Sequence, residues 1–151
     1  MRRQEKEITD KSEIEEIICK SQVCRLGLAD EGSPYIVPLC FGYRSNTLYF
    51  HSANEGRKIE ILKRNNRVCF EFDIDTQIHA GKTSCAWGMN YRSVIGYGTA
   101  SFIDDPAEKR KALDIIMRQY ADGAFTYSDK TLKKTLVIKV EISSMTGKKS
   151  D

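Results

Sequence analysis

The chain has 151 residues, 40% hydrophobic and 30% charged, which suits a single soluble domain over residues 1–151. Its 24 Lys and Arg stand against 21 Asp and Glu, a net charge of +3 that is too small and too scattered for a nucleic-acid-binding surface. No apolar run could span a membrane, Met1–Lys6 is charged with no apolar stretch behind it, and the five cysteines include no CxxC pair, so a reduced, cytoplasmic chain is expected.

Residues 1–9 read as a loosely ordered or edge segment. A helix then starts, with Asp10 and Glu13, or Ser12 and Glu15, offering a capping box. Ile14, Ile17 and Ile18 give it one apolar face. From Val23 the period becomes two, with Cys24, Leu26 and Leu28 alternating against Arg25 and Gly27. Asp30-Glu31-Gly32-Ser33 is a turn by composition. Residues 35–43 and 47–51 read as a strand pair turning at Arg44-Ser45-Asn46. Pro38 lies inside the first of these and cannot donate to a ladder, so it marks an edge, a bulge or an end of pairing. A short helix follows over 57–64 and ends at Asn65-Asn66.

Val68, Phe70 and Phe72 alternate in a fourth strand, residues 74–90 lack a period and read as a long loop, and 92–103 form a fifth strand. Asp105-Pro106-Ala107-Glu108 opens a helix with an N-cap, a first-turn proline and an acid. Its buried stripe is Ala112, Leu113, Ile116, Met117 and Tyr120. Residues 121–131 read as a loop. Leu136, Ile138, Val140 and Ile142 make a sixth strand, followed by a short polar tail at 146–149. Six strands with short helices between them do not build a doubly wound parallel sheet. They predict a mainly β fold, a closed or partly closed antiparallel barrel.

The segment Leu48–Ile59 carries the chemistry. A strand runs into polar residues, a loop supplies Gly56, and a helix opens with Arg57 and Lys58. The first turn of a helix has free N–H groups and the positive end of the dipole, where acids are the expected side chains. Two cations there conflict with local stability, and an anion resolves the conflict, phosphate being the usual one. Gly56 lets the backbone come close, Arg57 can grip two oxygens, and Lys58 supplies a point charge. His51 and Ser52 are expected to point to the same place. The alternative is a solvated turn with Arg57 paired to Glu55 or Glu60. The spacing of a P-loop is absent.

Four segments carry a wider likeness: 24–28 (Cys-Arg-Leu-Gly-Leu), 34–39 (Pro-Tyr-Ile-Val-Pro-Leu), 49–53 with Gly56-Arg57-Lys58, and 91–98 with its two glycines. The ending at 145–148 fits too. In this order the chain resembles, from about residue 2 to residue 149, the FMN-binding split-barrel proteins related to pyridoxamine 5′-phosphate oxidase, above all the 5-nitroimidazole-resistance (nitroimidazole reductase) branch. The resemblance implies a six-stranded antiparallel split barrel of Greek-key type. It implies a homodimer with FMN in a groove at the interface. Ser52, Arg57 and Lys58 would hold the phosphate beside Gly56. Val37, Pro38 and Leu39 would run along the isoalloxazine, and Arg92 and Ser93 would complete the site. The histidine matching His51 lies by the flavin in the nitroimidazole branch and is proposed to take part in reduction. The oxidase's C-terminal substrate-binding extension is not found after residue 142, so pyridoxamine phosphate oxidation is not expected.

The reading from sequence is an FMN-dependent oxidoreductase passing electrons to a small-molecule acceptor such as a nitroaromatic, with His51 as catalytic proton donor. The alternatives are a non-catalytic flavin or redox-sensing protein, and a split barrel for haem or a deazaflavin with His51 as the haem ligand. His79 and Cys85 are too few and too loosely spaced for a structural metal site. Trp87 and Tyr91 form either an aromatic lid or dimer packing.

Overall fold

The computed structural model describes residues 3–151. In chain order the elements are β1 (Glu7–Ile8), α1 (Lys11–Lys20), β2 (Cys24–Asp30), β3 (Ser33–Leu39), β4 (Gly42–Arg44), β5 (Thr47–Ala53), α2 (Arg57–Arg64), β6 (Arg67–His79), β7 (Gly88–Ile103), α3 (Pro106–Arg118), α4 (Asp129–Lys134) and β8 (Thr135–Ser150). Strand neighbours follow the order β3-β2-β6-β7-β8-β5-β4, with β1 added to β8, and every pairing is antiparallel. The fold is mainly β with short helices and agrees with a split barrel. Among the described residues the sheet has eight strands, not six.

The extra strands have physical causes. β1 arises in the charged N-terminal segment because Ile8 is buried and pairs opposite Gly147. The strand expected over 35–43 is cut in two at Cys40-Phe41. There the Phe41 ring is fully buried and its amide donates to the Tyr120 hydroxyl at 2.9 Å instead of to a ladder. The expected 35–43/47–51 hairpin therefore becomes two hairpins. β3 folds back on β2 around Glu31 (φ 49°) and Gly32 (φ 88°), while β4 pairs with β5 around Ser45 (φ 49°) and Asn46 (φ 60°). Two-residue turns with both φ positive match the twist of the strands they join.

Residues 74–90 are not mainly loop. β6 and β7 continue as a projecting arm through Gln77–Asn90 to His79–Gly88, past a bulge between Ile74 and Gln77. The segment expected as loop over 121–131 ends in α4, whose N-cap Ser128 accepts from the Thr131 amide at 3.1 Å. The polar tail is the far half of β8, paired to both β7 and β1.

The core lies between the inner sheet face and the helices α1 and α2, and holds Phe41, Phe50, Phe70 and Phe72. Asp10 caps α1, with its carboxylate accepting from the Ser12 amide at 2.7 Å. Glu13 forms an ion pair with Lys149 at 3.1 Å, tying α1 to β8. Gly96 is required by packing, since a Cβ there would fall 2.1 Å from the Phe70 ring. β3 is one of the two end strands of the order, an edge that accommodates Pro38.

Candidate functional site

Three residues after β5 ends, Gly56 starts α2 with φ 130° and ψ 165°, a region open essentially to glycine alone. A Cβ at this position would meet nothing within 4 Å, so the backbone is open to approach. The Gly56 carbonyl accepts from the Ile59 amide (2.9 Å) and the Glu60 amide (3.1 Å). No side chain caps the helix, which leaves the Arg57 and Lys58 amides at its positive end. Burial of Ile59, Ile61 and Leu62 fixes α2 to the core, and Arg64 pairs with Asp30 at 2.6 Å at its far end.

Neither Arg57 nor Lys58 forms an ion pair among the described residues, so Arg57 is not tied to Glu55 or Glu60. Its guanidinium carbon instead lies 4.5 Å from the centroid of the Tyr35 ring. In the sequence Tyr35 had no role at the site beyond its place in the 34–39 segment; the hairpin that folds β3 beside β2 brings it to α2. Two cations without an ion pair among the described residues thus stand at the positive end of a helix.

Ser52 adds a second unmet demand. It is 8% exposed, and its hydroxyl has no hydrogen-bond partner among the described residues. Such buried orphans are uncommon and call for an explanation. His51 does not share its direction. Side chains alternate along β5, so Phe50 and Ser52 are buried while His51 is exposed opposite Val137. The expectation that His51 and Ser52 converge is corrected on this ground.

Val37, Pro38 and Leu39 lie on the edge strand opposite Leu26, Arg25 and Cys24. Val37 and Leu39 pack against the core and Pro38 is exposed. The outer edge of β3 has no partner strand among the described residues, which leaves its backbone free there. Beside Pro38, Arg25 bonds Glu71 at 3.0 Å and also Asp73. Burial, then the like charge of Asp73, raises the Glu71 carboxyl above its usual range.

Arg92 and Ser93 are not brought to Arg57 within the protomer. They pair with Ile74 and Asp73 on β6, and Ile74 is six residues beyond Val68, which is level with Leu28 and hence Tyr35. At about 3.3 Å per residue this offset is roughly 20 Å along the strands. Arg92 faces Asp75 at 3.7 Å and Asp151 at 3.9 Å. A depression of about 590 Å³ is lined by Gly27, Cys69, Tyr97 and Ser143 among others, and by none of the expected site residues. His79 packs over Gly88, where a Cβ would fall 2.4 Å from its ring; Trp87 is 58% exposed. Among the described residues no helix is long and apolar enough to cross a membrane.

A sequence profile of the family described as pyridoxamine 5′-phosphate oxidase matches residues 10–149. Among solved structures, a candidate 5-nitroimidazole antibiotic resistance protein of Bacteroides thetaiotaomicron is 45% identical, with a TM-score of 0.86 over 94% of this chain and 85% of that one. A flavocytochrome of Azotobacter vinelandii shares the fold at 20% identity, with a TM-score of 0.88 over 100% of this chain and 72% of that one. An FAD- and haem-binding protein of Mycobacterium smegmatis does so at 20% identity and a TM-score of 0.88, over 97% and 74%. No curated protein sequence matches the chain.

Proposed function

The chain belongs to the pyridoxamine 5′-phosphate oxidase family, and from that premise we propose that it is an FMN-dependent oxidoreductase reducing small electrophiles such as nitroaromatic or 5-nitroimidazole compounds. The observation that carries the reading is the start of α2. Two cations without carboxylate partners among the described residues follow a glycine whose backbone is open, on the strand–helix connection after the buried Ser52, whose hydroxyl has no partner among those residues. One phosphate monoester matches this donor set, which favours FMN. The name of the 45% identical structure supports the nitroimidazole acceptor.

In this reading Gly56, Arg57, Lys58 and Ser52 hold the phosphate. The free edge of β3 at Val37, Pro38 and Leu39 offers backbone groups to the polar rim of the ring. His51, exposed on the outer side of β5, delivers a proton to the acceptor. Arg92 and Ser93 are too distant in one protomer, so a second copy would bring them to the site, in keeping with a homodimer. The bound flavin supplies the electron pair. The five free cysteines suit a cytoplasmic setting.

The test is the visible spectrum of purified protein, FMN titration of the wild type and of an Arg57→Ala/Lys58→Ala variant, and turnover of a nitroimidazole with NADH or NADPH. The expected result is stoichiometric FMN, lost in the double variant, with His51→Ala keeping the flavin but losing turnover. Wild-type protein that takes up no FMN would end the reading. Flavin that binds but never reduces an acceptor, even in a single turnover after dithionite reduction, would leave a flavin-binding protein without catalysis.

A further inference from the structure

We propose that Tyr35 is a positioning residue: its ring holds the Arg57 guanidinium in place for the phosphate. This rests on the phosphate-anchor reading above and adds a residue that the reading does not contain. Arg57 is exposed and carries a flexible stem, and it has no carboxylate among the described residues to fix it. Its guanidinium carbon lies 4.5 Å from the centroid of the Tyr35 ring.

Both ends of this contact are anchored independently. Tyr35 is half-buried, packs against the core and stands opposite Leu28 in the β2–β3 ladder. α2 is fixed by its three buried side chains and by the Arg64–Asp30 pair at 2.6 Å. The Asn65 side chain also donates to the Ala29 carbonyl at 3.3 Å, locking the end of α2 to β2. The ring is therefore a fixed surface under a mobile cation. Contact with a ring face attracts the charge without consuming N–H donors, so the planar fork stays free for two phosphate oxygens. Ordering the side chain before binding lowers the entropy lost on binding.

The test compares FMN with riboflavin, which lacks the phosphate, on flavin-free protein by fluorescence titration. The variants are Tyr35→Leu, Tyr35→Phe, Arg57→Ala and the Tyr35→Leu/Arg57→Ala pair, with Tyr35→Val as a second aliphatic replacement should the leucine variant not fold. Tyr35→Leu should weaken FMN about two- to five-fold, the range of an exposed cation–π contact, and leave riboflavin unchanged. Tyr35→Phe keeps the ring and should match the wild type. In the Arg57→Ala background the leucine change should have no further effect. Equal weakening of FMN and riboflavin, or a full Tyr35→Leu effect without Arg57, would overturn the positioning role while leaving the anchor intact. An Arg57→Ala variant with undiminished FMN affinity would overturn the anchor, and the role of Tyr35 with it.

Discussion

Replacing Gly56 by alanine isolates the backbone geometry of the phosphate loop. At most tightly placed glycines the effect of alanine mixes steric clash with torsional strain; at Gly96, for example, the new Cβ would strike Phe70 at 2.1 Å. At Gly56 nothing lies within 4 Å of the added carbon, so the whole cost is torsional. The torsion pair of 130° and 165° lies where an L-residue loses about 1–3 kcal/mol. A mid-range loss of about 2 kcal/mol corresponds to a fall in Tm of roughly 4–8 °C for a chain of this size. Thermal unfolding of the flavin-free protein by calorimetry or circular dichroism measures it. Lys58→Ala, in the same segment but without strain, should stay within about 0.5 kcal/mol of wild type. If the loop rotates to relieve the strain, the Arg57 and Lys58 amides turn with it. FMN affinity then falls and riboflavin affinity does not. A Gly56→Ala protein that unfolds within about 1 °C of wild type and binds FMN normally would refute the reasoning, because neither strain nor loop geometry would then depend on the glycine.

Ser52→Ala should separate stability from binding in opposite directions. Removing a buried hydroxyl without a partner among the described residues should leave the flavin-free protein as stable as before or up to about 1 kcal/mol more stable, while FMN binds roughly two- to ten-fold more weakly. A clear loss of flavin-free stability would mean that the hydroxyl is satisfied within the fold. Stability should also fall at alkaline pH. Burial, then the bond to Glu15 at 2.8 Å, pushes the Tyr43 phenol up to about 12, and burial with the Asp114 bond at 3.0 Å does the same for Tyr127. The folded state prefers both phenols neutral, so their contribution is complete below about pH 10, where unfolded tyrosine ionises, and is lost as pH rises toward 12. Burial likewise pushes the Tyr120 phenol up to about 12, so a tyrosinate absorbance titration of the native protein should show three late-ionising groups. Complete ionisation by about pH 11 in the folded state would contradict this.

What the sequence revealed depended on whether burial imprinted a period. α2 was legible to the residue, because two cations, an apolar face and Asn65 bracket Arg57–Arg64. β2 and the start of β6 were legible because alternate side chains are buried. The arm was not. From Asp75 to Ala80 every side chain is exposed, so neither face leaves an apolar signature, and the bulge breaks what alternation remains. The far half of β8 was hidden for a related reason: polar Thr146, Lys148 and Lys149 are held there by pairing to β1 and β7 rather than by apolar packing. The division of 35–43 turns on the Phe41–Tyr120 contact, whose partners are far apart in the chain. At the site, the conflict of cations with the helix dipole was visible locally. Tyr35 was not, because its role exists only after β3 is paired, and the distance of Arg92 from Arg57 follows from register, which local composition does not encode.

The order of strands in the sheet has a consequence for how the chain is made. β8 is the element through which β4 and β5 join the rest of the sheet, so Phe50 waits for Ile138 before it has a neighbour on that side. Ribosomes add about 5–20 residues per second, which leaves the β4–β5 hairpin waiting several seconds with Leu48 and Phe50 uncovered while β2, β3, β6 and β7 can already pair. During that interval the growing chain has two incomplete sheets with bare edges, the state most open to chaperone capture and to mispairing. Defects within Thr135–Ser150 would therefore surface first as poor yield during synthesis, before any effect on a cofactor could be measured.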